Sequence, residues 1–282
     1  MAAWPRYARR NPTLAFGLAL LLALGLFSLV GPLFDSSVRS QPLSVPPSLP
    51  PSFGFPLGTD RAGRDLLAVM ITGTPLTLWI GLVGGLMGLL IGTVLAFVSG
   101  YYGGVVDSVI KSVVDVGLTV PSLLVLIIIA VSLRQGLTVN EMALVVGSLA
   151  WMWPARTIRS QVLTLRERAW VQMAQLSGMN GPEIIVKEMI PNLAPYLASA
   201  LAGAVATAIL AAIGLEALGL GPMNSPTLGM TIYWAIYYSA VLQGMWWWWV
   251  PPIAILIVLF VGLFLVATGL DEIANPRLRR AV

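Results

Sequence analysis

Long runs of residues without a charge constrain this chain more than any other feature. Leu66–Val106 holds no charged side chain over 41 residues, and between Met189 and Leu270 the only charge is Glu216. A membrane-spanning helix needs about 20 mainly apolar residues, because the hydrocarbon core of a bilayer is about 30 Å thick. Only 10% of the 282 residues are charged, against about 25% in a typical soluble domain. The sequence therefore excludes an ordinary soluble protein and indicates a polytopic, all-α membrane protein.

Two amino acids that carry much of enzyme chemistry are missing. The chain contains no Cys and no His, which removes disulfides, thiolate nucleophiles and the commonest metal ligand and general base. We therefore expect no catalytic residue, no metal site and no cofactor. The net charge of +4 does not indicate nucleic acid, since the basic residues form short clusters between apolar runs and not one basic face.

Hydropathy predicts six spanning helices, the first of them an uncleaved helix, and a shorter helix ahead of the second. Their approximate bounds are Thr13–Leu33, Thr77–Ser99, Val113–Leu133, a segment between Arg134 and Arg156, Ala194–Gly214 and Trp246–Thr268. With the N-terminus inside, 12 of the 16 Lys and Arg residues fall on the cytoplasmic side and four outside. The positive-inside rule therefore predicts that both termini are cytoplasmic.

This topology divides the chain into three parts. Residues 1–76 hold the N-terminal tail, the first helix and a Pro-rich external loop, which is either a spacer or a segment that contacts an external partner. Residues 77–271 form a five-helix core with an internal loop over residues 156–191, and residues 272–282 form a cytoplasmic tail. Glycines 81, 84, 85, 88 and 92 recur at helical spacings, which we interpret as close packing against a partner subunit.

The internal loop has the pattern of a helix, a turn and a second helix. Arg159–Gln175 mixes apolar and polar residues at helical spacing, Gly178–Pro182 has Gly and Pro where a turn needs them, and Glu183–Met189 is again helical. Short amphipathic helices at the cytoplasmic face either lie in the membrane interface or dock in a partner's groove.

This loop resembles the cytoplasmic signature of ABC-importer permeases. In that signature a Glu-Ala-Ala triplet precedes a Gly, and a Leu-Pro pair follows at a fixed distance. Here Gln172, Met173 and Ala174 precede Gly178, and Ile190-Pro191 closes the loop 13 residues after that Gly. The chain departs from the family at Gln172 and Met173, where Glu-Ala is usual, and at Glu188, where the pattern has Ile.

Other stretches resemble the dipeptide, oligopeptide and nickel group of these permeases, and in particular its C-type subunit. They are Pro56–Asp65, Gly100–Gly104 with Asp107, Glu216–Gly221 and Gly269–Leu278. The resemblance implies a type I importer permease in a bacterial or archaeal inner membrane. It also implies a second permease as heterodimer partner, two ATPase subunits and an extracytoplasmic binding protein. Peptide, oligosaccharide and nickel chelate all stay open as substrates.

The resemblance assigns contact with the ATPase to the internal loop. The residues it marks are Gln172, Met173, Ala174, Gly178, Met179, Asn180, Gly181, Glu183, Ile190 and Pro191. The chain itself has no Gly-x-x-x-x-Gly-Lys-Ser/Thr loop to cradle ATP phosphates. A secondary transporter or channel without ATP is the alternative function, and a purely structural membrane subunit is a third. Against the transporter, the acidic residues Asp115, Glu141 and Glu216 all fall near predicted span ends and not at mid-membrane.

Charged and aromatic residues on the outer side are further candidates. Asp60, Arg61, Arg64 and Asp65 form either a surface helix with two i,i+4 ion pairs or a docking site for the binding protein. Glu216 is expected to be a water-facing carboxylate at a helix end, or else a gate or substrate contact. Trp246–Trp249 is typical of an aromatic belt. On the inner side, Asp107 is expected to act as a first-turn helix charge.

Overall fold

The computed structural model of the chain describes residues 11–33, 36–133 and 136–274. These residues are helical or form turns, and the one β-bridge among them is the isolated pair Thr59–Asp65. The α-helices are α1 (Pro12–Val30), α2 (Leu66–Tyr102), α3 (Gly104–Thr119), α4 (Ser122–Ser132), α5 (Val139–Leu149), α6 (Met152–Arg166), α7 (Ala169–Leu176), α8 (Gly181–Ile184), α9 (Ile190–Ala217), α10 (Leu228–Tyr237) and α11 (Trp246–Ala274). The all-helical prediction is confirmed.

Four helical segments in the described residues are long and apolar enough to cross a membrane. They are Pro12–Leu33, Leu66–Tyr102, Gly181–Ala217 and Trp246–Glu272, and the bent pair α3–α4 gives a fifth if it counts as one span. The predicted fourth span corresponds to α5, whose 11 residues cover only about 16 Å. The count of six spans therefore stays a prediction, as does the orientation. Seven of the arginines on which the orientation rests lie outside the described residues: Arg6, Arg9, Arg10, Arg134, Arg277, Arg279 and Arg280.

The predicted break before the second span is wrong. Helix α2 runs without interruption for 37 residues and contains Pro75 within it. Its start is fixed by Asp65, whose side chain accepts a hydrogen bond of 3.0 Å from the backbone N–H of Leu67. At about 1.5 Å per residue, α2 is long enough to extend beyond the hydrocarbon core.

The third predicted span is bent. Helices α3 and α4 meet at 84° around Val120 and Pro121. Val120 has extended backbone angles, φ −82° and ψ 129°, because the ring of a following proline disfavours the helical conformation. The chain therefore turns within the span, and helix α4 departs from the direction of α3.

The predicted helix Arg159–Gln175 is also interrupted. Helix α6 begins at Met152, inside the predicted fourth span, and ends at Arg166, after which α7 starts at Ala169. A π-helical turn over Ile185–Met189 then joins α8 to α9. The turn expected at 178–182 is present, since the non-helical residues between α7 and α8 are 177–180.

Helix α2 is the central element, and its glycines set how closely its neighbours approach. A Cβ on Gly85 would lie 2.7 Å from the backbone N of Val205 in α9, and one on Gly92 would lie 2.8 Å from that of Ala155 in α6. Any side chain at these positions would push the helices apart. The glycines therefore serve packing within this chain, and the interpretation that they pack against a partner is corrected.

Candidate coupling loop and charged clusters

The turn between α7 and α8 reverses the chain. Gly178 adopts φ +84°, a conformation that costs other residues about 1–2 kcal/mol. The N–H of Met179 bonds the carbonyl of Ala174 at 3.2 Å, and the Asn180 side chain caps α8 by accepting from the N–H of Glu183 at 2.9 Å. Nothing lies within 4 Å of a Cβ built on Gly178, so the outer side of this turn is open.

The coupling loop, which we define as residues 169–191, has a buried face and an exposed face. Val171 and Ile184 are fully buried, and Ala174 nearly so, in a cluster with residues of α2 and α6 such as Phe97 and Ile158. The exposed face includes half of the ten predicted contact residues, namely Gln172, Met173, Gly178, Asn180 and Pro191. Of the other predicted residues, Ala174 is buried, whereas Met179, Gly181, Glu183 and Ile190 are half-buried.

The loop is attached to the C-terminal end of α2. A Cβ on Gly181 would lie 3.0 Å from a ring carbon of Tyr101 and 3.2 Å from the hydroxyl of Tyr102. Glu183 forms an ion pair with Lys187 at 2.6 Å, so its carboxylate is engaged within the loop. The loop is therefore joined to the C-terminal parts of α2 and α6 by packing.

Beside this attachment, three side chains join three helices, and we call them the inner clamp: Ser99 of α2, Asp107 of α3 and Arg159 of α6. Arg159 binds Asp107 with two hydrogen bonds of 2.5 Å, from Nε to Oδ1 and from Nη2 to Oδ2. The Ser99 hydroxyl donates to Asp107 and accepts from Arg159 Nε at 3.1 Å. Asp107 lies in the first turn of α3, as expected. Its pairing with Arg159 was not predicted, because no local pattern joins residues 52 positions apart.

The charged group on the outer side is a buried turn and not the expected surface helix. Asp60 and Arg64 pair at 2.6 Å, and their side chains are 0% and 8% exposed. Asp65 caps α2, and its carboxylate lies 3.7 Å from the guanidinium of Arg39. This ion pair takes the place of the one expected between Asp65 and Arg61. Arg61 is exposed and its guanidinium lies over the ring of Tyr238. Of the predicted docking residues, Arg61 is therefore the one whose side chain faces outward.

The Pro-rich loop folds back on this turn. The N–H groups of Leu43 and Ser48 bond the carbonyls of Ala62 and Asp60 at 2.8 and 2.9 Å, and Trp247 donates to the carbonyl of Thr59 at 3.3 Å. The loop is therefore part of the fold and not a free spacer. Trp248 is fully buried whereas Trp246 is about half exposed, so the four tryptophans do not share one environment.

Glu216 is fully buried, which corrects the expectation that it faces water. Its Oε1 accepts a 2.6 Å hydrogen bond from the hydroxyl of Thr227, the N-cap residue of α10. Its Oε2 has no hydrogen-bond partner among the described residues. A Cβ on Gly229 would overlap this carboxylate, and the N–H of Leu228 bonds Thr77 of α2 at 3.0 Å. Glu216 therefore joins the C-terminal end of α9 to the N-terminal end of α10, which is itself bonded to α2.

Comparison with known proteins gives one family and several relatives. Residues 88–280 match the family described as binding-protein-dependent transport system inner membrane component. The chain is 31% identical to the dipeptide transport system permease protein DppC of Bacillus subtilis over 99% of its length and 86% of the relative's. It is 30% identical to the oligopeptide transport system permease protein OppC of Mycobacterium tuberculosis over 83% of this chain and 80% of that protein. The OppC protein of Bacillus subtilis is 29% identical over 96% and 88% of the two lengths.

Proposed function

The chain belongs to the family of binding-protein-dependent transport system inner membrane components, and from this premise we propose that its substrates are peptides. It is a permease subunit of an ABC importer in the inner membrane. The relatives that match nearly its whole length are named as dipeptide and oligopeptide permeases, and this supports peptides over oligosaccharides or nickel chelates. The family also favours the importer over a secondary transporter or channel.

The exposed face of the coupling loop is where an ATPase subunit docks. The observation that carries this assignment is an outward-facing helix and turn whose buried face is anchored on α2 and α6. ATP binding closes the two ATPase subunits, and a loop anchored in this way transmits that movement to the membrane helices. Met173 and Leu176 are 62% and 84% exposed and offer apolar anchors for such a groove.

The remaining parts of the complex follow from the same proposal. A second permease provides the other half of the pathway, two ATPase subunits bind inside, and a binding protein delivers peptide outside. Residues 1–76 form the outer segment with the first helix, residues 77–271 the core, and residues 272–282 a cytoplasmic tail. Both termini are cytoplasmic. Reporters fused at Pro47 and at Asn180 should mark opposite sides of the membrane, and the same side at both positions would refute this topology.

Replacing Gly178 with Trp tests the docking assignment. In complexes reconstituted with the partner permease, the ATPases and the binding protein, Gly178→Trp should reduce ATPase retention and ATP-driven peptide uptake by at least about tenfold, a loss of 1.4 kcal/mol or more. Gly136→Trp is the matched control, because Gly136 also has a positive φ, +75°, and open space around its Cβ. Its substitution adds the same backbone strain away from the loop. Equal ATPase retention and uptake in the two variants would remove the coupling assignment.

A further inference from the structure

Two cavities lie side by side along α9. The inner one, about 590 Å³, lies between α6, α9 and the end of α11, and the second, about 390 Å³, extends to the bend at Pro121. Ala150, Trp153 and Thr207 line both. The cavities are therefore neighbours along one face of the helix, and we call the two together the recess.

The two sides of α9 differ in chemistry. The recess is lined by Tyr196, Ser199, Gly203 and Thr207 of α9, which follow each other at three- and four-residue spacing. Another groove on α9 is lined by Leu201 and other apolar residues, and α1, α2 and α11 complete it with mainly apolar side chains. Hydroxyl groups at membrane depth face a protein interior or a water-filled cavity. The recess therefore adds hydroxyl groups to a mainly apolar lining, whereas the lining of the other groove is almost wholly apolar.

Ser199 presents a hydroxyl group to the recess. Ser199 is 7% exposed and lines the inner cavity, yet the described residues give its hydroxyl no hydrogen-bond partner. The neighbouring hydroxyls of Thr157 and Thr207 instead bond carbonyls of their own helices, at 3.1 and 2.9 Å. The Ser199 hydroxyl is not among the fully buried polar atoms that lack a partner, so it is open to the cavity. Ser199 is thus a donor and acceptor left for water or for a group that passes through the recess.

Asp271 gives the inner cavity its charge. It lies on the last turns of α11 and is the charged residue among those that line this cavity. The ion pairs of the described residues do not include it. An ionisable group that faces a cavity at the end of a spanning helix marks a path for polar solutes. A single carboxylate in such a lining favours positive charge over negative.

We propose that this recess is this chain's half of the peptide path, with Ser199 and Asp271 as contacts for the peptide in transit. The Ser199 hydroxyl bonds a backbone amide or carbonyl of the peptide. The Asp271 carboxylate attracts the peptide's ammonium terminus and cationic side chains at the inner mouth. This inference rests on the proposed peptide transport. The small residues of α9 leave room for side chains of different size.

Cysteine labelling tests the recess without relying on transport. The chain has no Cys, so Ser199→Cys introduces its one thiol, and labelling of this subunit can be followed by mass spectrometry in the full complex. Cationic and anionic methanethiosulfonate reagents of similar size are compared without nucleotide and with ATP trapped. The cationic reagent should react about two- to tenfold faster, because a carboxylate that lines the same cavity attracts it and repels the anionic reagent.

Second substitutions identify the charge that causes the preference. In the Ser199→Cys background, Asp271→Asn should remove the preference and Asp271→Lys should reverse it. Glu272→Gln is the matched control, since Glu272 is the next carboxylate in the chain and does not line the cavity; it should leave the preference unchanged. Leu22→Cys, at an exposed position of α1, should stay unlabelled because lipid does not ionise a thiol. The proposal would be overturned if position 199 is not labelled in either nucleotide state. It would also be overturned if the Asp271 substitutions leave the preference for the cationic reagent unchanged.

Uptake assays distinguish a failure of the contacts assigned to Ser199 and Asp271 from a failure of the proposed peptide transport. The wild-type complex is assayed with tripeptides that differ only in a central Lys, Ala or Glu. Asp271→Lys should lower uptake of the Lys peptide relative to the Glu peptide, and saturating peptide with its binding protein should slow labelling of the Ser199→Cys variant. If the wild type takes up no peptide while the labelling pattern holds, peptide transport is wrong and the aqueous recess stands. Intact uptake with unchanged ratios and no protection would refute the contacts assigned to Ser199 and Asp271.

Discussion

The inner clamp and the outer Asp60–Arg64 pair use the same chemistry in opposite ways. Both join a carboxylate to a guanidinium at 2.5–2.6 Å. The outer pair spans four residues of one turn and is almost fully buried. The inner pair joins residues 52 positions apart on two helices, and its side chains are about one-fifth exposed. The first stabilises a local loop shape, whereas the second links helices that carry the coupling loop.

This difference determines whether each ion pair can couple the movements of separate helices. A pair within one turn restrains residues that already move together, so its loss affects stability and not coupling. A pair between α3 and α6 connects the bent span to the helix that leads into the coupling loop. Its loss allows these helices to move independently. Stability and transport should therefore respond differently at the two sites.

The largest expected effect is from reversing a charge in the inner clamp. Asp107→Arg places two guanidinium groups against each other, and juxtaposed like charges cost several kcal/mol. Peptide uptake should fall by at least about tenfold while the ATPase subunits stay bound. The double variant Asp107→Arg/Arg159→Asp should restore part of the uptake, because it rebuilds the pair with its sign exchanged. A double variant no better than either single variant would show that the pair does not link the helices.

The next effect is on stability at the outer pair. Asp60→Asn leaves the buried Arg64 without its counter-charge, which costs about 3–5 kcal/mol for a buried pair. The melting temperature of the purified complex should fall clearly, and uptake per folded complex should stay near the wild-type rate. Arg61→Gln is the control, because this neighbour is exposed and its ring contact contributes about 0.5–1 kcal/mol. A loss of specific uptake in Asp60→Asn that exceeds its loss of folded protein would contradict the comparison.

Glu216 provides an intermediate case, since it bonds a neutral hydroxyl 11 residues away. Glu216→Ala removes the acceptor for Thr227 and should lower the stability of the outer end by about 1–3 kcal/mol. Glu216→Gln keeps an oxygen acceptor of the same shape and should cost less. Thermal melting of both variants checks this order. Equal melting temperatures for Ala and Gln would show that the contact with Thr227 does not stabilise α10.

The smallest effect belongs to the second ion pair between α3 and α6. Asp115 and Arg156 lie 3.9 Å apart and are 42% and 59% exposed. Exposed pairs contribute about 0–1 kcal/mol, so Asp115→Asn should change uptake by no more than about two- to threefold. It serves as the control for Asp107→Arg, since both residues lie on α3. A loss as large as that of the clamp variant would mean that any charge change on α3 impairs transport.

Features that depend on neighbouring residues could be predicted from the sequence. The charge-free runs predict an all-α membrane protein, and the spacing between Gly178 and Pro191 marks the internal loop as a permease signature. The turn at Gly178 follows from backbone preferences that act within a few residues. The position of this turn could therefore be predicted from the sequence, and the structure places it at residues 177–180.

The contacts between segments that are distant in the sequence were determined only by the tertiary structure. Pro75 is kept inside one long helix, whereas Pro121 bends its span, and no local rule separates the two cases. The burial of Glu216 depends on Gly229 and Thr227 in another helix, and the role of Asp107 depends on Arg159. Hydropathy and turn preferences are properties of short segments. Burial and charge pairing are set by which helices pack together, and that is decided only when the whole chain has folded.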